Sequence, residues 1–214
     1  MKPKDLPYPY RWEERRPLLK DKIFYVPEYY GEHKKGEFPP FKTLFENDHP
    51  VHLEYCSGNG EWILAHAKEN PHINWVAVEM WFKRVRKIYS KMMNEGIDNL
   101  LIISGEGCTF SREYLPDDSL DAVYINFPDP WPKDRHAKHR IIQPPFVKEL
   151  KRTVKTGGKV TLVTDDIPYK EQMEYEMQGW PKDLAPKENY GSSFFERLWR
   201  SKGLDINYLS YAND

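Results

Sequence analysis

Short apolar runs alternate with amphipathic stretches from residue 51 onward. The runs cover residues 51–55, 73–79, 99–104, 120–127 and 159–164, and their lengths predict strands. Apolar spacing and flanking glycines or prolines predict helices over 61–70, 81–94, 145–155 and 169–178. Because strands that alternate with helices pair in parallel, we predict an α/β fold: a Rossmann-like, doubly wound, mostly parallel sheet with a closing antiparallel strand.

The two ends of the chain depart from this pattern. Residues 1–50 hold eight of the 18 prolines and show no sustained period, so we predict an irregular N-terminal arm. The arm would precede a single domain formed by residues 51–214. Within that domain, the aromatic segments 194–199 and 205–211 would form a closing antiparallel pair.

Composition narrows the class of protein. The chain has 214 residues and two cysteines, Cys56 and Cys108, which are too few for a disulfide framework and lack the spacing of a zinc site. It contains no run of about 18 apolar residues, and charges and prolines occupy the N-terminus where a signal peptide would be apolar. We therefore expect a cytoplasmic protein without a metal ion, either a monomer or a homodimer.

A loop that contains glycines follows the first predicted strand. It runs from Glu54 to Gly60 and includes Gly58, and glycines at such a turn let a ligand lie against main-chain N–H groups. Nineteen residues after Gly60, Glu79 ends the second strand, where a carboxylate can accept hydrogen bonds from ribose hydroxyls. The combination favours an adenosine-containing cofactor over a purely structural turn.

The type of cofactor depends on a missing glycine. A dinucleotide loop would have its third glycine where this chain has Ile63, so no seat for a pyrophosphate is evident. We therefore predict S-adenosyl-L-methionine rather than a nicotinamide dinucleotide. Glu106, after the third strand, is either a further contact near the adenine or an ordinary exposed loop acid.

The fourth predicted strand ends in a loop stiffened by proline. Pro128, Pro130 and Pro132 flank Asp129 and Trp131, and three prolines in five residues end a strand. Open α/β sheets bind ligands outside the carboxyl ends of their strands. A rigid loop at that edge would hold its carboxylate ready for a ligand.

Charge is distributed unevenly although the totals nearly cancel. The chain has 32 Lys and Arg against 33 Asp and Glu, which gives a formal net charge of −1. Residues 131–160 nevertheless hold nine Lys and Arg against two acids, and residues 81–91 hold five and no acid. A run of like charge usually marks a solvated helix face, but two clusters beside a cofactor loop favour phosphate contacts with a nucleic acid.

The segment from Asn126 to Arg140, NFPDPWPKDRHAKHR, resembles the corresponding motif of the bacterial tRNA (guanine-N7)-methyltransferases. Supporting matches are Glu54 with its glycine loop, Glu79, Gln143-Pro144-Pro145-Phe146 and Thr164-Asp165. The resemblance covers roughly residues 50–200. It implies a class I methyltransferase fold, S-adenosyl-L-methionine as cofactor, and methyl transfer to N7 of the guanine at position 46 in the tRNA variable loop.

The resemblance also implies roles for individual residues. The cofactor would contact Glu54, Glu79, Glu106 and Asp129, together with the loop glycines Gly58 and Gly60. Asp129 would also be the catalytic residue. The substrate would contact Lys133, Asp165, Ser193, Phe194, Phe195 and Glu196. From the charge pattern, we expect tRNA phosphates at Arg135, Lys138, Arg140, Lys83, Arg84 and Lys87.

The chain departs from the family pattern at three positions. Cys56 stands at the usual first loop glycine, Glu106 replaces a shorter acid or an amide, and Ser193 replaces a threonine. Cys56 is small enough to fit the turn if its φ is negative, so the geometry of the turn depends on this residue.

The expected chemistry is electrostatic. N7 of guanine has a lone pair and no proton, so no general base is needed. Asp129 and Asp165 would stabilise the positive charge that develops on the base and hold its N1–H and N2–H₂ edge. Trp131 would either stack on that base or pack the loop.

Two other classes of function remain open. One is a non-catalytic tRNA-binding protein whose cofactor loop is degenerate at Cys56. The other is a methyltransferase for a non-RNA substrate, which would have no use for two basic clusters.

Overall fold

A single sheet forms the centre of the computed structural model, which describes residues 1–9, 16–27, 36–183, 190–191 and 193–214, apart from the side chain of Asp134. Its strands are β1 (Leu18–Lys20), β2 (Ile23–Tyr25), β3 (Val51–Tyr55), β4 (Asn74–Glu79), β5 (Leu100–Ser104), β6 (Leu120–Asn126), β7 (Val154–Thr164) and β8 (Asn207–Ala212). They lie in the order β1-β2-β5-β4-β3-β6-β7-β8. The pairs β1–β2 and β7–β8 are antiparallel and the other pairs are parallel.

Helices cover both faces of this sheet. They are α1 (Phe41–Phe45), α2 (Glu61–Glu69), α3 (Phe82–Glu95), α4 (Gly107–Tyr114), α5 (Pro144–Thr153), α6 (Ile167–Glu176) and α7 (Phe194–Ser201), with 3₁₀ helices at Pro3–Asp5 and Asp134–His139. One core packs Phe110 of α4, Phe146 of α5 and Tyr169 of α6 against the sheet, and a second core packs Trp62 of α2 and Ile88 of α3. No helix in the described ranges is long and apolar enough to cross a membrane.

The order of the strands fixes where a ligand can bind. From β3 the chain proceeds outward through β4 and β5, and it then returns to pair β6 with the other side of β3. This reversal opens a crevice at the carboxyl ends of β3 and β6, where open α/β sheets bind their ligands. The predicted doubly wound, mostly parallel sheet with a closing antiparallel strand is confirmed.

Within the central region, the predicted elements match the structure except at two places. Helix α4 was not predicted, because its N-terminus is capped by Glu106 in a segment without a clear apolar period. Strand β7 begins at Val154, five residues earlier than predicted. The predicted helix 145–155 therefore ends at Thr153, and the two glycines that follow lie inside the strand, where Gly157 N donates to Asn213 O at 2.6 Å.

The prediction of an irregular arm over residues 1–50 misses the strands β1 and β2. Ile23 and Phe24 are buried because β2 pairs in parallel with β5 and extends the sheet. Strands of three residues are too short to show a period in the sequence. Residues 10–15 and 28–35 of the arm lie outside the described residues, and the division of the chain at residue 51 stays a prediction.

The predicted antiparallel pair near the C-terminus is half wrong. Strand β8 does pair antiparallel with β7, but residues 194–199 belong to helix α7. Ser193 caps this helix, since its side chain accepts a hydrogen bond from Glu196 N at 3.1 Å. The cap overrides the β-propensity of the aromatic residues that follow it.

Candidate active site

The loop between β3 and α2 is held in a turned conformation by its own main chain and by one carboxylate. Gly58 and Gly60 have φ values of +56° and +74°. Gly58 N donates to Oε2 of Glu79 at 2.8 Å, which ties the loop to the end of β4. A Cβ on Gly60 would lie 2.8 Å from Cγ1 of Ile88, so that position requires glycine on two grounds.

Cys56 does not have a negative φ. Its φ is +59°, so a non-glycine residue adopts a left-handed conformation, which favours glycine. A left-handed conformation costs an L-residue about 1–2 kcal/mol, which the surrounding hydrogen bonds must offset. Burial, followed by the carboxylates of Glu79 and Glu54, raises the pKa of the Cys56 thiol to about 12, so the thiol stays protonated and unreactive.

Glu54 is buried at the reversal point of the sheet. Only 2% of its surface is exposed, and its Oε1 accepts a hydrogen bond from Nδ2 of Asn126 at 2.8 Å. Its Oε2 is also buried but has no hydrogen-bond partner in the part of the chain that the structure describes. Burial raises the pKa of Glu54 to about 7, although the Asn126 amide acts in the opposite direction. A buried, half-paired carboxylate of this kind suits a bound cation.

Glu79 lies one strand away, at the end of β4. Its Oε1 accepts from Trp81 N at 2.8 Å, and Arg84 lies 3.7 Å from its Oε2. Burial raises the pKa of Glu79, while the Trp81 N–H and the Arg84 guanidinium lower it. Arg84, predicted to contact phosphate, thus lies beside the glutamate.

Glu106 has a structural role that neither sequence hypothesis anticipated. Its carboxylate caps α4, accepting hydrogen bonds from Cys108 N at 2.9 Å and from both N and Oγ1 of Thr109 at 2.6 Å. Burial acts to raise its pKa, but these hydrogen bonds outweigh burial and the net shift is downward. Its contact with a cofactor stays a prediction.

The proline loop after β6 has a strained backbone at both ends. Phe127 and Trp131 have φ values of +49° and +43°, and Phe127 N donates to Val163 O at 2.9 Å. Between them, Asp129 is exposed and forms no hydrogen bond or ion pair with any described residue. The Trp131 ring packs against His136 and His139, with ring centroids 5.9 and 5.2 Å apart. Trp131 therefore packs the loop, as one of the two hypotheses stated.

Arg140, predicted to contact tRNA phosphate, instead holds this loop from inside. It is 9% exposed, its Nε donates to Pro130 O at 2.6 Å, and its NH1 donates to Oε1 of Gln172 at 2.6 Å. Its guanidinium also lies 4.9 Å from the centre of the Tyr169 ring. These internal contacts compete with the predicted phosphate contact, which stays a prediction. A sequence does not distinguish an exposed cation from one that spans acceptors in a loop and a helix.

The basic cluster at the ligand edge is smaller than the sequence suggested. Several cations of the 131–160 window are already paired with acids: Arg152 with Asp117 and Glu149, Lys155 with Asp121, and Lys159 with Asp183. Exposed cations near the proline loop are Lys133, Arg135 and Lys138. On α3, Lys83 is exposed and Lys87 is half-buried.

Helix α7 brings its N-terminus to the glycine loop. A Cβ on Gly58 would lie 3.8 Å from the Phe195 ring, which also packs near Phe127 at 6.4 Å between centroids. Phe194 is exposed. The carboxylate of Glu196 is buried and accepts from Arg200 Nε at 3.0 Å and from the Tyr208 hydroxyl at 2.9 Å. The Glu196 carboxylate therefore links α7 to β8, and its contact with substrate stays a prediction.

Asp165 follows β7, which neighbours β6, so it lies at the same edge of the sheet as Asp129. It is half-buried, and burial, followed by the charge of Asp166, raises its pKa. Sequence reasoning missed two further residues, Asn126 as a partner of Glu54 and Tyr190 as a partner of Asn126. Asn126 could have been found as the polar end of a buried strand, whereas Tyr190 gave no signal.

Solved structures with the same architecture define the class of fold. The 16S rRNA methyltransferase KamB is 17% identical with a TM-score of 0.61, over 81% of this chain and 93% of that chain. The aminoglycoside resistance methyltransferase NpmB1 is 15% identical with a TM-score of 0.57, over 81% of this chain and 92% of that chain. The fold is that of the methyltransferases.

Sequence comparison identifies the family within that class. Residues 48–206 match a family described as putative methyltransferase. The tRNA (guanine-N(7)-)-methyltransferases of Chlamydia abortus and of Chlamydia trachomatis serovar D are 46% and 47% identical, over 99% and 96% of this chain and 98% and 95% of theirs. The enzyme of that name from Streptococcus mutans is 30% identical over 81% of this chain and 75% of its own. The chain belongs to the tRNA (guanine-N(7)-)-methyltransferase family, which confirms the resemblance drawn from the sequence.

The left-handed conformation of Cys56 predicts a graded response to substitution. Cys56→Val should lower the free energy of unfolding by about 1–3 kcal/mol more than Cys56→Ala, because a β-branched side chain is strained at this φ and the site is packed. Cys56→Gly should stay within about 1 kcal/mol of the wild type, since relief of strain opposes the larger entropy of the unfolded chain. Equilibrium unfolding in urea measures all three, and equal values for valine and alanine would contradict the assignment.

The burial of Arg140 predicts that it contributes to stability. Arg140→Ala should lower the free energy of unfolding by about 2–3 kcal/mol, because two buried acceptors lose a charged donor. Lys138→Ala is the matched control in the same segment and should change stability by less than about 0.5 kcal/mol, since its side chain is exposed. Equal effects of the two substitutions in thermal or urea unfolding would show that Arg140 does not clamp the loop.

Proposed function

We propose that this chain transfers a methyl group from S-adenosyl-L-methionine to N7 of a guanine in tRNA, at position 46 of the variable loop. The observation that carries the proposal is the buried Glu54 carboxylate, which keeps one oxygen without a partner among the described residues at the reversal point of the sheet. The names of the relatives supply the substrate, and the position within tRNA comes from the sequence resemblance.

The residues around the glycine loop fit this cofactor. Oε2 of Glu54 would accept hydrogen bonds from the ammonium group of its amino acid part, which would satisfy a buried acceptor and a buried charge together. Glu79 would accept from the ribose hydroxyls, and Glu106 would lie near the adenine. Bound S-adenosyl-L-methionine would supply an electrophilic methyl group on a sulfonium. A Cβ at Gly58 would make ordinary van der Waals contacts, with the Phe195 ring at 3.8 Å and the main-chain oxygen of Cys56 at 3.9 Å, so the loop is not closely packed there.

Two acids at the same edge, the exposed Asp129 and the half-buried Asp165, would serve the substrate. N7 of guanine needs no deprotonation, so Asp129 and Asp165 would stabilise the positive charge that develops on the purine and hold its N1–H and N2–H₂ edge. Asp129 stands on a loop fixed by Arg140, which keeps its position defined before substrate binds. Lys133 and the segment from Ser193 to Glu196 would border the base.

The exposed cations near the proline loop would hold the tRNA backbone. Phosphates would contact Lys133, Arg135 and Lys138 beside this loop, and Lys83 and Lys87 on α3. The Arg140 side chain instead donates hydrogen bonds to Pro130 and Gln172. A cytoplasmic location belongs to the same proposal, since tRNA is the substrate named for the relatives. Because Cys56 preserves the glycine-like turn, a degenerate cofactor loop is the weaker alternative.

Incubation with bulk tRNA and labelled S-adenosyl-L-methionine, followed by nucleoside analysis, tests the proposed reaction. Wild-type protein should form 7-methylguanosine. Asp129→Asn should lower kcat by about 10²–10³-fold and change the Kd for S-adenosylhomocysteine by less than about threefold, because the lost charge acts on the transition state.

Each other result identifies an alternative. Cofactor binding without methylation of tRNA would indicate a non-RNA substrate, and tRNA binding without cofactor binding would indicate a non-catalytic protein. An unchanged rate for Asp129→Asn would remove Asp129 from the catalytic step.

The raised pKa of Glu54 predicts that cofactor binding depends on pH. Because the pKa is about 7, the carboxylate is mostly ionised at pH 8 and mostly protonated at pH 6. Only the ionised form attracts an ammonium, so the Kd for S-adenosylhomocysteine should rise about tenfold from pH 8 to pH 6. Glu54→Gln is nearly isosteric and should bind more weakly with no such slope; a slope that survives the substitution would assign the titration to another group.

The exposed cations predict a salt effect on tRNA binding. Replacing Lys133, Arg135 and Lys138 together by alanine should reduce the slope of log K against log salt by about 2–3, since each phosphate contact contributes about 0.7–0.9. A control variant replaces Lys42 and Lys155 by alanine. Lys42 lies in α1, before β3, and Lys155 lies at the start of β7, away from the carboxyl ends of the strands; they pair with Asp48 and Asp121. Filter binding at several salt concentrations measures the slopes, and equal slopes for both variants would reject this phosphate surface.

A further inference from the structure

We infer that Tyr190 is a positioning residue for the cofactor-binding acid: through Asn126 it fixes how Glu54 is oriented and which of its oxygens stays open. This inference rests on the proposed cofactor site. It assigns a function to a tyrosine that lies 64 residues from Asn126 in sequence and carries no recognisable motif.

Two hydrogen bonds connect the three side chains. The Tyr190 hydroxyl donates to Oδ1 of Asn126, and Nδ2 of Asn126 donates to Oε1 of Glu54 at 2.8 Å. An amide has one accepting end and one donating end, so a hydroxyl on Oδ1 determines that the NH₂ faces the carboxylate. A rotated amide would place its oxygen against the carboxylate of Glu54, which electrostatics disfavours.

These two hydrogen bonds determine the position of the second carboxylate oxygen of Glu54. With Oε1 bound to Asn126, the carboxylate plane is fixed and Oε2 remains buried without a partner among the described residues. Without the tyrosine hydroxyl, Oδ1 of Asn126 would be a buried acceptor with no donor, and the amide would lose one of the two contacts that hold it. Glu54 could then turn, and a bound ammonium would lose its aligned acceptor.

Tyr190 is itself fixed to the helix that follows the glycine loop. Its main-chain carbonyl accepts hydrogen bonds from Nε1 of Trp62 at 2.6 Å and from Nε2 of His66 at 2.8 Å, and both side chains belong to α2. Its ring centroid lies 5.3 Å from those of Trp62 and Tyr208. Burial raises the pKa of the Tyr190 phenol far above its usual range, so the hydroxyl keeps the proton it donates.

The neighbouring Tyr124 provides a matched control. Its ring centroid lies 6.3 Å from that of Tyr190, and it is half-buried. Its hydroxyl contacts Nδ1 of His52 at 3.4 Å and takes no part in the bonds to Glu54. Removing either hydroxyl deletes one polar group from the same aromatic cluster, but only Tyr190 is connected to the cofactor-binding acid.

The binding of two ligands distinguishes a positioning role of Tyr190 from a general effect of this residue on the stability of the protein. Calorimetry on the full chain would compare S-adenosylhomocysteine with 5′-methylthioadenosine, which keeps the adenosine and lacks the amino acid part. Tyr190→Phe should weaken S-adenosylhomocysteine about five- to tenfold, the value of one hydrogen bond, and change the binding of 5′-methylthioadenosine less than about twofold. Tyr124→Phe should leave the binding of both ligands as in the wild type.

The other outcomes are distinct. If the wild type binds neither ligand, the proposed cofactor site is wrong. If the wild type binds both and Tyr190→Phe is unchanged, or weakens both equally, Tyr190 does not position Glu54. Should Tyr190→Phe fail to fold, Asn126→Leu tests the same connection from the other side, and it must weaken S-adenosylhomocysteine selectively for the inference to stand.

Discussion

An incompletely paired carboxylate, buried where the sheet reverses its strand order, is the constraint on which the site depends. An isolated carboxylate in the interior is costly, and the protein gives Glu54 only one side-chain amide, on Oε1. The cost appears as a pKa of about 7. A structure selected for stability alone would replace this group by an apolar residue or surround it with donors. In the proposed complex, the charge of the bound cofactor would complete the pair.

Three of the seven non-glycine residues with positive φ in the described part of the chain lie at the same edge of the sheet. Cys56 after β3, and Phe127 and Trp131 after β6, have positive φ values although none is glycine. Each such conformation costs about 1–2 kcal/mol and persists because the surroundings determine it fully. The Glu79 carboxylate holds the first loop and the Arg140 guanidinium holds the second. Charged side chains that resemble ligand contacts in the sequence therefore also form the framework that keeps the strained loops in place.

Because a charged side chain can bind a ligand or hold a loop, only part of the site could be predicted from the sequence. Strands of five or more residues were predicted to within about two residues, apart from the early start of β7, whereas β2, with three residues, was missed because no period develops over so short a run. Glu79 was predicted as a ribose contact from its position at a strand end, and Glu54 as a cofactor contact from the family resemblance; both roles stay predictions. The internal contacts of Arg140 were missed because its two acceptors, at Pro130 and Gln172, come from a loop and a helix that only the fold brings together. Tyr190 was out of reach for the same reason.

In the proposed reaction, the acid that binds the cofactor is buried and the acid that meets the base is exposed. Glu54 is buried before any ligand arrives, so its field on a cofactor is strong from the start, whereas Asp129 is exposed and its charge is screened by water. Asp129 would become effective only when a purine covers it and excludes that water. An isolated guanine has little binding energy to contribute, but a folded RNA that also engages Lys133, Arg135 and Lys138 can use its phosphate contacts to hold the base over the carboxylate. In the proposed reaction, the exposed position of Asp129 would make methyl transfer depend on the whole RNA, and a net charge of −1 is no obstacle because a few exposed cations near one edge suffice.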